Sequence, residues 1–240
     1  MELKILKLFS ILSVILFSDC EPKEKMENTS SALSTSHDTS GIRYLALGDS
    51  YTKAECEIPA NSYPEKLVNK IREKGIKVSN HTVIAQTGWR TDNLKDAIDA
   101  ASLENNFDIV SLLIGVNNQF QGKSPENYRK EFRELLELSI YYAKGRKDKV
   151  FVLSIPDYGA TPYGSRNPRY IGQQIELFNK INKEVTDSVG VKYFDITPIS
   201  KEAKTDAELT CTDGLHPSAK MYDRWVELML SDVVEMIRKP

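Results

Sequence analysis

The sequence predicts an α/β protein built on a parallel sheet of about five strands with helices on both faces. Short apolar segments alternate along the chain with segments of helical periodicity. The third and fourth apolar segments, "IVSLLI" and "VFVLSI", are nearly uninterrupted, as in strands that are buried on both faces. Alternation of this kind is typical of parallel strands joined by right-handed helical crossovers.

The elements follow in order. The strand-like segments are Ile42–Leu47, Val78–Ala85, Ile109–Ile114, Val150–Ile155 and Val191–Ile196. A helix is predicted from Pro125 to Lys144, where apolar residues recur on one face and Pro125 suits the first turn. A last helix carries Met221 and Trp225 at helical spacing, and both side chains are expected in the core.

The N-terminal segment is expected to lie outside the folded domain. Lys4 and Lys7 precede an apolar stretch at positions 8–17, which has the length and flanks of a secretory signal. A buried N-terminal helix or strand is disfavoured, because positions 21–40 are polar and offer almost nothing to bury. We therefore predict a signal peptide at 1–20, a flexible tether at 21–40 and one folded domain at 41–240.

Cys20 stands at the end of the predicted signal peptide. The stretch Phe17-Ser18-Asp19-Cys20 resembles the lipobox of bacterial lipoproteins, in which the cysteine is lipidated. Phe17 and Asp19 depart from its usual leucine and small residue, so simple secretion with nearby cleavage stays open. We expect an exported protein, periplasmic or at the cell surface, with a lipid anchor at Cys20.

Charge and composition exclude some classes of partner. The formal net charge is -2, which gives no electrostatic reason to expect nucleic acid as a partner. No repeat of fixed period is present, so solenoids and propellers are not expected. Oligomeric state cannot be predicted from these features.

Polar residues follow the strands at the edge where parallel sheets bind ligands. Gly48-Asp49-Ser50 follows the first strand, Gly88 and Trp89 the second, and Gly115 to Asn118 the third. Asp213 and His216 come shortly before the last helix. Taken alone, Ser50 fits a turn or helix cap, but a nucleophilic serine also needs a histidine, a carboxylate and oxyanion donors.

Few histidines are available to act as the general base for a nucleophilic serine. The chain has three histidines, of which His37 lies in the predicted tether. His81 lies within a strand pattern, where a surface or strand-capping role is favoured. His216 remains, three residues after Asp213 across a glycine turn.

These segments are similar to the SGNH hydrolases, also called GDSL-type esterases and lipases. Four blocks occur in the family's order. Gly48-Asp49-Ser50 resembles the first, Gly88 the glycine of the second, Gly115-Val116-Asn117-Asn118 the third, and Asp213-Gly214-Leu215-His216-Pro217 the fourth. One departure is Asn118, where many members have Asp.

The resemblance implies a three-layer, flavodoxin-like α/β/α fold and ester hydrolysis without a metal or cofactor. Ser50 would be the nucleophile, His216 the base and Asp213 the residue that orients the imidazole. The oxyanion would be held by the backbone N–H groups of Ser50 and Gly88 and by the side-chain amide of Asn117.

Aromatic residues near the same edge are candidates for substrate contacts, with burial in the core as the open alternative. They are Tyr51, Trp89, Phe120, Tyr158 and Tyr163. The Pro-, Gly- and Tyr-rich segment from Pro156 to Tyr170 is expected to form a wall of the cleft. Two kinds of substrate are consistent with this sequence: esters of short acyl groups, such as acetylated carbohydrate, and a lysophospholipid.

Cys56 and Cys211 are a candidate disulfide. Cys56 follows Ser50 by one loop and Cys211 precedes Asp213, so the two thiols are neighbours if Ser50 and His216 meet. Export would permit the bond. A zinc site is disfavoured, because no CxxC pair or second nearby histidine completes a ligand set.

Two other functions stay open beside a carboxylic ester hydrolase. One is a catalytically silent surface lipoprotein that binds through its cleft, and the other is acyl transfer to an acceptor other than water. The complete set of Ser, Gly, Asn, Asp and His favours an enzyme, because binding alone needs no such set.

Overall fold

The computed structural model describes residues 40–240 of the chain. The predicted signal peptide, the lipidation candidate Cys20, His37 and all of the tether except its last residue therefore lie outside the described residues. None of the helices between residues 40 and 240 is long and apolar enough to cross a membrane.

A five-stranded parallel sheet forms the middle of the fold. Its strands are β1 (Ile42–Gly48), β2 (Val78–Ala85), β3 (Ile109–Leu113), β4 (Val150–Leu153) and β5 (Lys192–Phe194). Their order across the sheet is β2-β1-β3-β4-β5. The order reverses between β1 and β3, which is the switch point where open α/β sheets bind ligands.

The register of β1, β2 and β3 aligns their carboxyl ends at this switch point. Gly48, the last residue of β1, pairs with Ala85 of β2 and with Leu113 of β3. Each partner is also the last residue of its strand. The loops that follow these three strands therefore leave the sheet side by side.

Eight α-helices accompany the sheet in the described part of the chain. They are α1 (Ser50–Lys53), α2 (Tyr63–Glu73), α3 (Thr91–Ala100), α4 (Val116–Phe120), α5 (Pro125–Tyr142), α6 (Pro168–Val189), α7 (Thr197–Lys201) and α8 (Ala219–Arg238). Helices α2 and α8 pack together on one face, whereas α3, α5 and α6 pack together on the other. The predicted three-layer α/β/α architecture is confirmed.

Burial explains why the central strands are almost entirely apolar. Every residue of β3 and β4 is buried, because helices cover both faces of the sheet there. Strand β2 lies at the edge and leaves Val83 40% exposed. This exposure accounts for the polar residues that interrupt the apolar pattern of β2.

Strands β4 and β5 are shorter than predicted. The prediction of Val150–Ile155 and Val191–Ile196 was wrong at the ends, since β4 stops at Leu153 and β5 at Phe194. The reason is the Ser154 hydroxyl, which accepts hydrogen bonds from the backbone amides of Ile196 at 2.8 Å and Thr197 at 3.0 Å. A side chain thus replaces the strand ladder and turns the chain into α7.

Two helix boundaries also differ. Helix α5 ends at Tyr142 instead of Lys144, because Lys144 (φ 61°) and Gly145 (φ 76°) adopt the left-handed conformation that ends helices. The longest helix, α6, has no counterpart among the helices predicted above. Pro168 is the first residue of this helix. The last three residues of the loop predicted from Pro156 to Tyr170 are therefore helical.

Candidate active site

Ser50 begins helix α1 directly beyond the carboxyl end of β1. Asp49 caps this helix, and its Oδ1 accepts a hydrogen bond from the backbone N–H of Tyr51 at 3.0 Å. Gly48 allows the close approach of β1 to β3 at this point, because a Cβ atom there would lie 2.5 Å from the carbonyl oxygen of Leu113. Ser50 is 5% exposed, and that exposed part faces a cleft.

Asp213 and His216 lie in a tight loop before α8. Asp213 Oδ2 is 2.6 Å from His216 Nδ1, and Asp213 Oδ1 accepts hydrogen bonds from the backbone N–H groups of Leu215 and His216. Partial burial acts to raise the pKa of Asp213, but these hydrogen bonds outweigh it and hold the pKa below its usual value. An ionised carboxylate can only accept hydrogen bonds, so Nδ1 carries a proton and Nε2 of the neutral ring is an acceptor.

Ser50 and His216 line the same cleft, which has a volume of about 150 Å³. The cleft opens at the carboxyl edge of the sheet, beside the switch point between β1 and β3. No hydrogen bond joins Ser50 Oγ to the imidazole of His216 in the described part of the chain. The two loops thus face one space without a hydrogen bond between these side chains.

The second described histidine lies elsewhere. His81 on β2 has its Nε2 2.5 Å from Glu65 Oε1 on α2, and it does not line the cleft. Among residues 40–240, no three side chains of His, Cys, Asp or Glu converge to hold a metal ion.

Asn117 and Gly88, the other predicted oxyanion donors, are placed differently from each other. Asn117 lines the cleft, and its Nδ2 donates a hydrogen bond to the carbonyl oxygen of Trp89 at 3.0 Å. Gly88 is exposed, has φ 82°, and is not among the residues that line the cleft. Gly115, just before Asn117, adopts φ 129°, and a Cβ atom there would lie 2.2 Å from Tyr128 Oη, so only glycine fits.

Asn118, the departure from the family block, has a contact of its own. Its Oδ1 accepts a hydrogen bond from Thr91 N at 3.1 Å, and its Nδ2 donates to Thr91 Oγ1 at 2.6 Å. The side chain is 1% exposed. Asn118 therefore fixes the start of α3 and does not reach the cleft.

Four of the five aromatic residues predicted near the rim line the cleft: Tyr51, Phe120, Tyr158 and Tyr163. The Tyr51 ring meets the His216 ring edge-on, with centroids 5.9 Å apart. Phe120 and Tyr163 are 55% and 52% exposed, so their rings remain open to solvent at the mouth. Trp89 instead packs, partly buried, against the core.

Three further residues at the site were not singled out by the sequence. Val116 and Leu215 line the cleft, and their positions inside the third and fourth blocks are the signal that could have found them. Glu57 links two distant segments: its carboxylate accepts hydrogen bonds from Ala219 N at 2.9 Å and from Asn61 Nδ2 at 2.7 Å. No local pattern marks Glu57, since Ala219 is 162 positions away.

A disulfide joins Cys56 and Cys211 across a sequence separation of 155 residues. Cys56 lies in the loop after α1, and Cys211 lies two residues before Asp213. The bond therefore connects the segment that carries Ser50 to the loop that carries Asp213 and His216.

Comparison with solved structures finds the same fold at low sequence identity. The lipase/acylhydrolase from Enterococcus faecalis is 20% identical, with a TM-score of 0.63, over 81% of this chain and 96% of that one. The psychrotrophic esterase EstA from Pseudoalteromonas sp. is 14% identical, with a TM-score of 0.63, over 82% and 100%. The acetylxylan esterase Axe2 from Geobacillus stearothermophilus is 16% identical, with a TM-score of 0.59, over 83% and 95%.

The family follows from a comparison with family models. A search of curated proteins by sequence finds no match. The model of the GDSL-like lipase/acylhydrolase family, however, matches residues 46–224, and the resemblance stated from the four blocks is confirmed. Because this match extends from within β1 into α8, over most of the chain, the chain belongs to the GDSL-like lipase/acylhydrolase family.

Proposed function

We propose that the protein hydrolyses short-acyl carboxylic esters through an acyl-enzyme formed on Ser50. The observation that carries the proposal is that Ser50 and His216 share one small cleft, with His216 held by Asp213 at 2.6 Å. Membership of a lipase/acylhydrolase family supports ester hydrolysis in general. The identity of the nucleophile and the choice of substrate go beyond that membership.

The proposed reaction has two halves. Ser50 Oγ attacks the ester carbonyl while its proton passes to His216 Nε2, which then gives that proton to the departing alcohol. Water attacks the acyl-enzyme in the same way, its proton passing through His216, and the carboxylic acid leaves as Ser50 regains its proton. Asp213 keeps the proton on Nδ1 and stabilises the imidazolium. Hydrogen bonds between nucleophile and base often tighten in the substrate complex, so we expect one from Ser50 Oγ to His216 Nε2 there.

Negative charge on the carbonyl oxygen needs hydrogen-bond donors. We assign this role to the backbone N–H groups of Ser50 and Gly88 and to Asn117 Nδ2. The hydrogen bond from Asn117 to the Trp89 carbonyl supports the assignment, because it fixes the amide while leaving its second N–H available. Gly88 is the weaker member of the set, since it is not among the residues that line the cleft.

The dimensions and lining of the cleft support a short, uncharged acyl group. Its volume of about 150 Å³ lies below the roughly 300–1,000 Å³ of sites that hold drug-sized ligands. Among the described residues that line it, none is Asp, Glu, Lys or Arg. The exposed rings of Phe120 and Tyr163 offer flat apolar surfaces to an alcohol such as a sugar, and one structural neighbour is named an acetylxylan esterase.

Trapping with a phosphonate tests the nucleophile. The EstA neighbour is described as inhibited by monoethylphosphonate. A p-nitrophenyl alkylphosphonate should release one equivalent of p-nitrophenolate and leave one phosphonyl group on the peptide that contains Ser50. The Ser50→Ala variant should gain no mass. A phosphonyl group on another residue, or equal labelling of the variant, contradicts the proposal.

We also propose that the protein is exported and lipid-anchored at Cys20. The N-terminal pattern described above supports this, and the Cys56–Cys211 disulfide fits an oxidising compartment. Mass spectrometry of the mature N-terminus tests it: a diacylglyceryl group on Cys20 is expected. An unmodified N-terminus elsewhere in positions 18–40 indicates simple secretion instead.

A further inference from the structure

The loop of Asp213 and His216 is held together by its own contacts. An isolated antiparallel bridge pairs Thr210 with Pro217 across its base. Cys211 N donates a hydrogen bond to the carbonyl oxygen of His216 at 2.8 Å, and both oxygens of Asp213 are bound within the loop. The hydrogen bonds that join Asp213 to His216 therefore all lie within the loop.

Ser50 is likewise placed without help from that loop. Its position follows from the end of β1, the Asp49 cap and the close approach at Gly48. Ser50 Oγ has no hydrogen bond to His216 that would hold the two side chains together. The distance between nucleophile and base therefore depends on how their supporting segments are held relative to each other.

Contacts from α8 and from the loop connect those segments within residues 40–240. Tyr222 Oη on α8 donates a hydrogen bond to the carbonyl oxygen of Tyr51 at 3.0 Å, and Glu57 accepts one from Ala219 N. Both of these attach to α8, beyond the loop. Within the same residues, three contacts reach the loop itself: the edge-on contact of the Tyr51 ring with the His216 ring, a hydrogen bond from Thr212 Oγ1 to Cys56 Sγ at 3.5 Å, and the disulfide at Cys211. The disulfide is the covalent one of the three, and it lies two residues before Asp213.

The backbone on the other side of the disulfide is held in a conformation that side chains disfavour. Ala54 has φ 63° and Cys56 has φ 73°, both in the left-handed region. Such conformations persist where the surrounding structure constrains them. Cys56 is also exposed, so a thiol reductant can reach the bond.

We propose that the Cys56–Cys211 disulfide positions Ser50 against His216, so that its reduction lowers turnover while the Asp213–His216 pair stays intact. This inference rests on the function proposed above. With a dithiol as reductant, the two sulfurs of the reductant join as its own disulfide as the protein bond breaks. Two electrons and two protons pass to the protein, and Cys56 and Cys211 end as thiols.

The test compares the full-length protein in three forms: oxidised, reduced with dithiothreitol, and as the double variant Cys56→Ser/Cys211→Ser. The reductant is removed before assay, because thiols themselves cleave activated esters. With p-nitrophenyl acetate, kcat should fall about 10- to 100-fold in the reduced and variant forms, while KM changes less than about twofold. The downfield proton NMR signal of His216 Nδ1–H should remain in all three forms.

Two controls sharpen the comparison. Dithiothreitol treatment of the double variant should change nothing, and reoxidation of the reduced protein should restore kcat. An unchanged kcat after reduction overturns the inference. So does loss of the Nδ1–H signal together with activity, because the disulfide would then maintain the loop instead of placing it. An oxidised protein no faster than Ser50→Ala contradicts the proposed function, and the positioning inference with it.

Discussion

At the scale of single residues, Asp49 is the unusual titratable group of the site. Burial raises the pKa of its carboxyl to about 7, although hydrogen bonding from the backbone amides of Tyr51 and Gly115 acts in the opposite direction. Between pH 4 and 7 the folded protein therefore holds a proton that the unfolded chain releases. The free energy of unfolding should consequently fall as the pH rises through this window.

The variant Asp49→Asn should remove this part of the pH dependence, because an amide does not titrate. We expect the free energy of unfolding of the wild-type protein to fall relative to the variant by on the order of 4 kcal/mol between pH 4 and pH 8. Urea unfolding at a series of pH values measures the difference. Asp223→Asn, at an exposed ion pair with Lys66, is the matched control and should follow the wild type. Parallel curves for Asp49→Asn and wild type would contradict the assignment.

Adjacent residues in α4 should have separable roles. Asn117→Ala removes a proposed oxyanion donor and should lower kcat about 10²- to 10³-fold with little change in KM. Asn118→Ala leaves the buried Thr91 amide without its partner and should lower the free energy of unfolding by about 1–3 kcal/mol. Each variant is the control for the other, in steady-state kinetics and in urea unfolding. A change confined to KM in Asn117→Ala would assign it to substrate binding instead.

At the scale of elements, the segment between β4 and α6 closes one side of the cleft. Tyr158 in this segment is 6% exposed, and its Oη donates a hydrogen bond to Gln119 Oε1 at 3.0 Å. The Tyr158 ring also borders a second cavity of about 10 Å³, which Leu209 and Met221 help to line. Four residues line both spaces and stand between them: Tyr51, Tyr158, Leu215 and His216.

Truncation of Tyr158 should join the two spaces and admit longer acyl chains. For Tyr158→Ala we expect the ratio of kcat/KM for p-nitrophenyl octanoate over acetate to rise about tenfold or more. Tyr158→Phe keeps the ring and loses only the hydrogen bond to Gln119, so its ratio should match the wild type. An unchanged ratio in Tyr158→Ala would mean that another wall limits acyl length.

The alternation of segments was enough to predict the layers of the fold. An apolar run indicates a strand that is buried on both faces, and an apolar stripe at helical spacing indicates a helix that is buried on one face. Both patterns can be recognised from residues that are close together in the sequence. The ends of β4 and β5 were not predictable in this way, because the Ser154 hydroxyl that ends them bonds backbone more than 40 positions away. Glu57 was not predicted for the same reason, because its partner Ala219 is 162 positions away.

The sequence also predicted which residues to consider for the candidate site, but not how all of them pack. Ser50, Asn117, Asp213 and His216 stand beside strand ends or in a glycine turn, where local chemistry marks them. Phe120 and Trp89 look alike in sequence, as aromatic residues in strand-end loops. Only packing separates them, since Trp89 turns toward the core while Phe120 stays 55% exposed at the cleft.

At the scale of the whole molecule, the sheet brings together residues from opposite ends of the domain. Ser50 follows the first strand, whereas His216 precedes the last helix, and the disulfide bonds their segments across 155 positions. The account of function therefore depends on these two segments acting as one site.

The most direct test of that claim is the initial rate of p-nitrophenyl acetate hydrolysis by the wild-type protein, Ser50→Ala and the control Ser165→Ala, whose exposed hydroxyl bonds the carbonyl oxygen of Pro162. We predict that Ser50→Ala loses at least about 10³-fold in kcat while Ser165→Ala keeps the wild-type rate. Equal rates for wild type and Ser50→Ala would contradict the account, and the cleft would then be a binding site without this chemistry.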